Sequence, residues 1–407
     1  MKTKIFILIL FLCIPFIKAF SQVAPTEDVT EVYGFAMVDA GYNMNQINPQ
    51  WYDAMRPSRL PKFTNEFGTD GNTYISARQS RFGIKTAKPT DAGEFKAVFD
   101  FDMYGVGVDA GQTTIRLRHA YGQLGHWGGG LTESAFMDGD VFPNTFEYWG
   151  PNGMMFLRNV QLRWQPIMGP SDLTFALEAP GASADRGEVG SDPRVDFTGL
   201  RPRFQYPDFS GHYRSSHDWG YVQLGGIVRY MAWEDLNASS TTDLSGNVTG
   251  WGVSLSTNLK LGQNTTIRAQ ISEGAGIENY FNDAPIDVAT TAYDSTNVKQ
   301  PVKGEALGDL GAVLFIDHNW NSKWCSSIGG SYVDITNSTG QNYDAYSAGS
   351  YAVANLIYMP IPAVMMGIEL QYVSRDNYKT SPIDGFTGST ATKVNVSFKY
   401  SFGTKIK

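Results

Sequence analysis

The sequence predicts an all-β fold: a transmembrane antiparallel β-barrel of about sixteen strands with an inward-folded constriction loop. Three observations predict it. Apolar and polar residues alternate with a period of two through many segments of about ten residues, the pattern of strands with one face in lipid and one in water. The connections alternate between short turns and long loops, as membrane barrels require. Trp, Tyr and Phe gather at the segment ends, where amphipathic rings sit at headgroup depth. Composition agrees, with 43 glycines and 13% aromatics but only 18% charged residues. No segment after the leader approaches the ~18–20 apolar residues of a membrane helix. The nearest, Tyr358–Ile368, is broken by Pro360 and Pro362.

The chain opens Met1-Lys2-Thr3-Lys4, runs apolar to Ile17 and reaches Ala19-Phe20-Ser21. A basic start, a short apolar core and small residues at −3 and −1 predict a secretory signal peptide over 1–21. Leu12 is too bulky for a lipidation signal at Cys13. The expected organisation is then a short periplasmic segment over 22–30, the barrel over 31–402 and a tail over 403–407, exported to the outer membrane of a Gram-negative-type envelope. Loss of Lys2, Lys4 and Lys18 leaves 29 basic residues against 40 acidic ones, a net charge of −11. That balance excludes nucleic acid as a partner, because phosphate binding needs clustered Lys and Arg. Only Cys325 survives cleavage, so neither an intrachain disulfide nor a cysteine metal site is expected.

The strands follow in order. Glu31–Tyr42 precedes a long polar loop, Asn43–Tyr74. Ser80–Ala87 sets Phe82 and Ile84 against Arg81 and Lys85. Glu94–Tyr104 sets Phe95, Ala97, Phe99 and Phe101 against Lys96, Asp100 and Asp102. Thr113–Leu124 sets Ile115, Leu117 and Tyr121 against Arg116 and Arg118; His119 shares the apolar parity and is expected at an interface. Leu131–Met137 comes next, because without it the count is odd and the alternation of connections fails after Leu124. The loop Asp138–Gly153 holds Pro143, Pro151, three glycines and four aromatics. Turn chemistry explains its irregularity but not its aromatics, and it is predicted to fold into the lumen. Met154–Gln165 returns, with Val160, Leu162 and Trp164 on one face and Asn159, Gln161 and Arg163 on the other.

Ten more strands complete the barrel: Asp172–Ala179, Asp208–Ser215, Trp219–Trp233, Thr249–Leu261, Thr265–Gly274, Asp309–Trp320, Lys323–Asp334, Ala345–Tyr358, Val364–Arg375 and Ala391–Phe402. Eighteen strands is the alternative count. Trp164, Trp219, Tyr221, Trp320, Trp324, Tyr358 and Phe402 flank the short turns. Tyr42, Tyr104, Trp233, Trp251 and Tyr372 flank the long loops.

Energy assigns the faces. An Arg on the lipid face near the midplane costs ~2–4 kcal/mol, so inverting the 113–124 strand would cost roughly 4–8 kcal/mol. Arg116 and Arg118 therefore point inward, and the same argument turns Lys96, Asp100, Arg163, Lys260, Arg268, Glu369, Arg375 and Lys399 inward. The expected pore lining is a positive wall of Arg81, Arg116, Arg118, Arg163, Arg214, Arg229 and Arg268, with Lys96, Asp100, Glu178 and Glu369. It faces a constriction loop whose expected contributors are Asp138, Asp140, Phe142, Phe146, Glu147, Tyr148 and Trp149. Fixed guanidinium groups concentrate anions and grip carboxylates in bidentate fashion. The alternative is a structural network in which the arginines pair with Asp100, Asp102, Glu133, Glu178 and Glu369.

The five histidines fall on four separate strands or turns, with no nucleophile elbow and no metal-binding helix pattern, so no catalytic residue, metal or cofactor is expected. Asp138-Gly139-Asp140 is too sparse a spacing for a calcium site. A receptor or adhesin barrel, with Asn43–Tyr74 and Ala275–Gly308 as binding loops, is the competing functional class.

Several segments carry a resemblance: Ile115–Gly125 (IRLRHAYGQLG), Phe136–Arg158 (FMDGDVFPNTFEYWGPNGMMFLR), Val222–Arg229 (VQLGGIVR), His318–Trp324 (HNWNSKW) and Asn355–Asn377. Together they make the chain resemble the DcaP-like trimeric outer-membrane porins; Phe136–Arg158 is the most specific of them. The resemblance implies a sixteen-stranded barrel in a lipid bilayer, a homotrimer, and passive diffusion of small anions, notably dicarboxylates, through an arginine-containing pore. The family's periplasmic coiled coil has no counterpart in Gln22–Thr30, which is too short for a heptad array, so no stalk is expected.

Overall fold

The computed structural model describes residues 28–406; the predicted signal peptide lies outside them. Eighteen strand segments join in one antiparallel sheet. Two of these segments, Asn72–Ser76 and Leu200–Pro202, are upper continuations of Arg81–Thr90 and Asp208–His217, on the same neighbouring strands. Sixteen strands therefore cross. The first, Val29–Asn43, pairs with the last, Gly388–Ile406, and closes the barrel. Closure leaves no sheet edge to satisfy in lipid. Short turns of two to four residues alternate throughout with connections of eight residues or more.

Alternation of side chains does the rest. In Gly246–Leu261, Ser254 and Ser256 are buried while Trp251, Val253 and Leu255 are exposed. In Arg158–Ile167, Gln161 is 3% exposed and its neighbour Leu162 is 67% exposed. The barrel is thus apolar outside and polar within, the reverse of a soluble protein. Much of the buried apolar surface lies inside the barrel, beneath its long loops. Ile47, Met55 and Leu60 from 44–71, with Val141 and Met154 from 134–157, pack on Val313, Phe315, Tyr351 and Val373 of the wall. A second cluster joins Phe136, Met155, Ile277, Tyr280 and Phe281. Outside the barrel sheet, Ala184–Asp185, Val288–Thr290 and Gly304–Ala306 form a three-stranded sheet among the long loops.

Five local expectations are corrected. The strand placed at Leu131–Met137 is Trp127–Glu133; Gly128-Gly129-Gly130 has no side chains to alternate, and Gly130, at φ +124°, leaves room for the Ala120 carbonyl where a Cβ would collide. The return strand is Arg158–Ile167, so the intervening segment is 134–157, longer at both ends than Asp138–Gly153. In Thr113–Leu124, Asp100 pairs with His119 but Phe101 pairs with Leu117, so Arg118 is the extra residue of a β-bulge. A bulge shifts the alternation by one. His119 therefore turns inward, where Nδ1 lies 2.9 Å from Thr132 Oγ1, and Tyr121 turns inward beneath Arg163. Gly403–Ile406 is not a tail, because these residues pair with Tyr33 back to Thr30. Among the strand-end aromatics, Trp219, Trp251, Trp320 and Tyr372 are exposed as a belt requires, but Tyr104 and Tyr221 are buried inside.

Candidate functional site: the barrel lumen

The segment 134–157 is tied to lumen-facing side chains at many points around the wall. At its start, Ser134 Oγ donates to Glu178 Oε1 at 2.7 Å. Asp138 accepts from Arg214 at 2.7 Å, Tyr221 OH at 2.8 Å and Ser256 Oγ at 2.5 Å. The Asp140 carbonyl accepts from Asn258 and Arg268. Farther on, Asn144 accepts from Asn355. The backbone N–H groups of Phe146 and Glu147 donate to Glu369 at 2.8 and 2.9 Å, and Met155 N–H donates to Gln270 at 2.7 Å. Glu369 is fully buried, and each of its oxygens has a second donor, Asn355 or Gln371. An irregular segment inside a barrel exposes unpaired backbone groups; polar wall side chains meet that demand here.

The segment's tip builds an aromatic and charged corner with the 44–71 loop. Tyr148 stacks on Tyr104 at 3.9 Å and 7°. Arg56 lies between Trp51 and Trp149, about 4 Å from each ring centre, and pairs with Asp283 at 2.7 Å. Glu147 is buried, accepting from Met55 N–H at 3.0 Å and from Gly150 N–H. Burial pushes its carboxyl up to about 7, against the pull of Lys393 and the two backbone donors. Burial likewise raises Asp138 despite Arg214 beside it. At Asp53 burial pushes upward, but the Arg78 guanidinium bonded to it wins and holds the carboxyl below its usual range.

Between this segment, the 279–285 stretch and the wall lies a cavity of about 800 Å³. Seven cations line it, Arg56, Arg59, Arg81, Arg116, Arg118, Arg158 and Lys399, against two acids, Glu133 and Glu147. Phe142, Tyr148, Trp149, Phe156 and Phe281 supply the apolar side. Arg116 and Arg118 pair with Asp102 at 2.8 and 3.2 Å. No carboxylate of the described residues lies within ion-pair distance of Arg59, Arg81, Arg158 or Lys399. The Nε atoms of Arg81, Arg118 and Arg158 are buried N–H donors without an acceptor. An unmet buried donor on a charged group costs more than a neutral one, roughly 1–3 kcal/mol or above.

The family model of the DcaP outer membrane protein matches residues 22–402. The chain belongs to the DcaP outer membrane protein family. Among solved structures, the outer membrane channel DcaP of Acinetobacter baumannii is similar at 19% identity over 94% of this chain and 100% of that one, with a TM-score of 0.72. An anion-selective porin from Comamonas acidovorans shares 8% identity over 92% and 100%, at 0.57. The trimer form of OmpT, an outer membrane protein of Vibrio cholerae, shares 10% over 92% and 99%, at 0.55. At such identities the likeness carries the fold, a closed sixteen-strand barrel. No curated protein matches the chain. This DcaP-family chain is an outer-membrane β-barrel protein.

The structure sorts the expected lining residues. Arg81, Arg116 and Arg118 reach the cavity, with Asp100 behind them 3.6 Å from Arg118. Arg163 lies beside it, bonded to Gln161 and to the Glu133 carbonyl. Arg214 and Arg268 instead anchor the 134–157 segment, and Arg268 also pairs with Asp317 at 2.6 Å. Arg229 is 1% exposed, held between Asp208 and Asp287 at 2.9 Å each, so it is no lining residue. Lys96 pairs with Glu94 beside a short turn. Glu178 and Glu369 are buried acceptors. Of the segment's residues, Phe142, Glu147, Tyr148 and Trp149 line the cavity, while Phe146 and Asp138 are buried anchors and Asp140 is exposed.

Arg56, Arg59 and Arg158 were not expected in the lining. Arg56 and Arg59 sit in the long Asn43–Tyr74 loop, where no periodicity assigns a face. Arg158 ends the motif FMDGDVFPNTFEYWGPNGMMFLR, and that position was the available signal for it. Lys399 carried the ordinary alternation signal.

Proposed function

We propose that this porin gives passive, anion-preferring diffusion of small solutes such as dicarboxylates, as a homotrimer in the outer membrane. In this reading 134–157 narrows the lumen, and the cationic side of the 800 Å³ cavity sets the preference. The domain plan follows: a leader over 1–21, then the barrel. The observation that carries the reading is the set of cations on one cavity, Arg59, Arg81, Arg158 and Lys399, that lie within ion-pair distance of no carboxylate of the described residues. A carboxylate in the cavity can be gripped by such a guanidinium fork, which fits its two oxygens. The names of the DcaP channel and of the anion-selective porin agree with it.

The experiment is reversal potential in a planar bilayer under a salt gradient, with succinate added afterwards. The wild type should favour anions, open in threes and show transient succinate block. Arg81→Ala with Arg158→Ala should abolish most of the preference. This pair is a cleaner test than Arg116→Ala with Arg118→Ala, because it strands no buried aspartate. A wild-type channel that favours cations or neither ion overturns the anion reading.

A further inference from the structure

A second cavity, of about 270 Å³, lies among the long loops, away from the arginines of the lumen. We propose that it is a binding site for a small amphipathic anion: an apolar body with a carboxylate, sulfate or sulfonate head. The inference is independent of the pore's ion preference.

The walls are apolar. Met231 and Trp233, at the upper end of Gly220–Asp235, face Phe197, Leu244, Val288 and Val302 from three different loops. The one polar atom of Trp233, Nε1, donates to the Leu244 carbonyl at 2.7 Å. What the indole offers the cavity is therefore hydrocarbon. A Cβ on Gly304 would press on the Trp233 ring at 2.5 Å and on Val288 at 3.1 Å, so the glycine gives the indole its seat.

The charged groups around this apolar space are three cations and one acid. Arg186, Arg201 and Lys303 line it, and none of them is in a salt bridge with the described residues. Arg201 donates to the carbonyls of Thr198 and Leu200 at 2.9 and 2.8 Å, which holds its guanidinium in place without neutralising it. Lys303 feels Asp294 only from beyond ion-pair range. The one acid, Asp185, is used by its own surroundings: one oxygen accepts from Gly187 N–H at 2.8 Å and the other from Gln341 Nε2 at 3.0 Å. In a chain of net charge −8, three cations outside any salt bridge, against one hydrogen-bonded acid, give this apolar space a net positive rim that selects a ligand. A neutral apolar ligand makes no use of the charges, a cation is repelled, and a wholly polar anion gains nothing from the walls. Size narrows the class further. A dry cavity of about 150 Å³ takes a benzene ring, so this one takes about two fused rings and is too small for a multi-chain lipid.

The test is calorimetric titration of 2-naphthalenesulfonate into the protein in lipid nanodiscs, with empty nanodiscs subtracted. We expect one saturable site per chain. Arg186→Gln, Arg201→Gln and Lys303→Gln together should weaken it at least tenfold, while the lumen variant Arg81→Ala, Arg158→Ala keeps it. The uncharged 2-naphthalenemethanol should bind the wild type at least tenfold more weakly. All three substitutions are at exposed residues, and the heat-resistant band on a gel checks the barrel. Three results would each overturn the proposal: no saturable heat above empty discs, binding lost in the lumen variant but kept in the rim variant, or equal affinity for the uncharged analogue.

Discussion

At Glu147 one proton reaches the lining of the larger cavity. Its carboxyl is buried and pushed up to about 7, against an ordinary value near 4.3. The native state therefore favours the neutral form. The stabilisation it gives to the seated segment is complete below about 4.3 and is lost as pH rises through about 7. Above that pH a negative charge also appears on the cavity lining, opposite the cations. The reversal potential of the wild type should thus lose part of its anion preference between about pH 6 and 8, and Glu147→Gln should hold the low-pH preference throughout. A Gln variant that tracks the wild type across that range would show that another group titrates. The same scale separates two kinds of arginine. Arg116 and Arg118 are ion-paired with Asp102; Arg81 and Arg158 lie within ion-pair distance of no carboxylate of the described residues.

The segment 134–157 keeps its course because the wall supplies its hydrogen bonds, and Glu369 supplies the most. Glu369→Ala leaves the N–H groups of Phe146 and Glu147 without their acceptor, in addition to the freed amides of Asn355 and Gln371. At roughly 1–3 kcal/mol for each unmet buried group, the tip should detach before the barrel unfolds. Single-channel recordings should show larger and noisier openings. Unchanged conductance with an intact barrel would mean that this segment does not set the pore size. The bulge at Arg118 shows what sequence alone leaves hidden at this scale. One extra residue reverses the parity of His119 and Tyr121, and period-two reasoning carries no signal for it. The Gly128-Gly129-Gly130 strand is hidden for the opposite reason: a strand without side chains has no pattern to display.

At the scale of the barrel, the sequence was legible wherever lipid and water impose alternation. The strand count and the parity of connections were read correctly because a closed ladder admits few alternatives. The lumen was half legible: alternation says that Arg81, Arg116, Arg118 and Lys399 face inward, but not which acid opposes each one. Arg56, Arg59 and the second cavity lie in long loops, whose folding depends on contacts far apart in sequence, such as Arg56 with Asp283. Lipid makes one further prediction about the whole. Leu255 sits mid-strand between buried Ser254 and Ser256, paired with Leu224 and Ile271, and is half exposed. Leu261 is exposed at the end of the same strand, beside a short turn. If these faces meet hydrocarbon, Leu255→Arg should cost ~2–4 kcal/mol and Leu261→Arg about 0–1 kcal/mol. Guanidinium unfolding in lipid vesicles reads the difference. In water the two substitutions would differ little, since both remove an exposed leucine. The gradient between them therefore reports the depth of the bilayer, and equal costs would remove this face from the membrane.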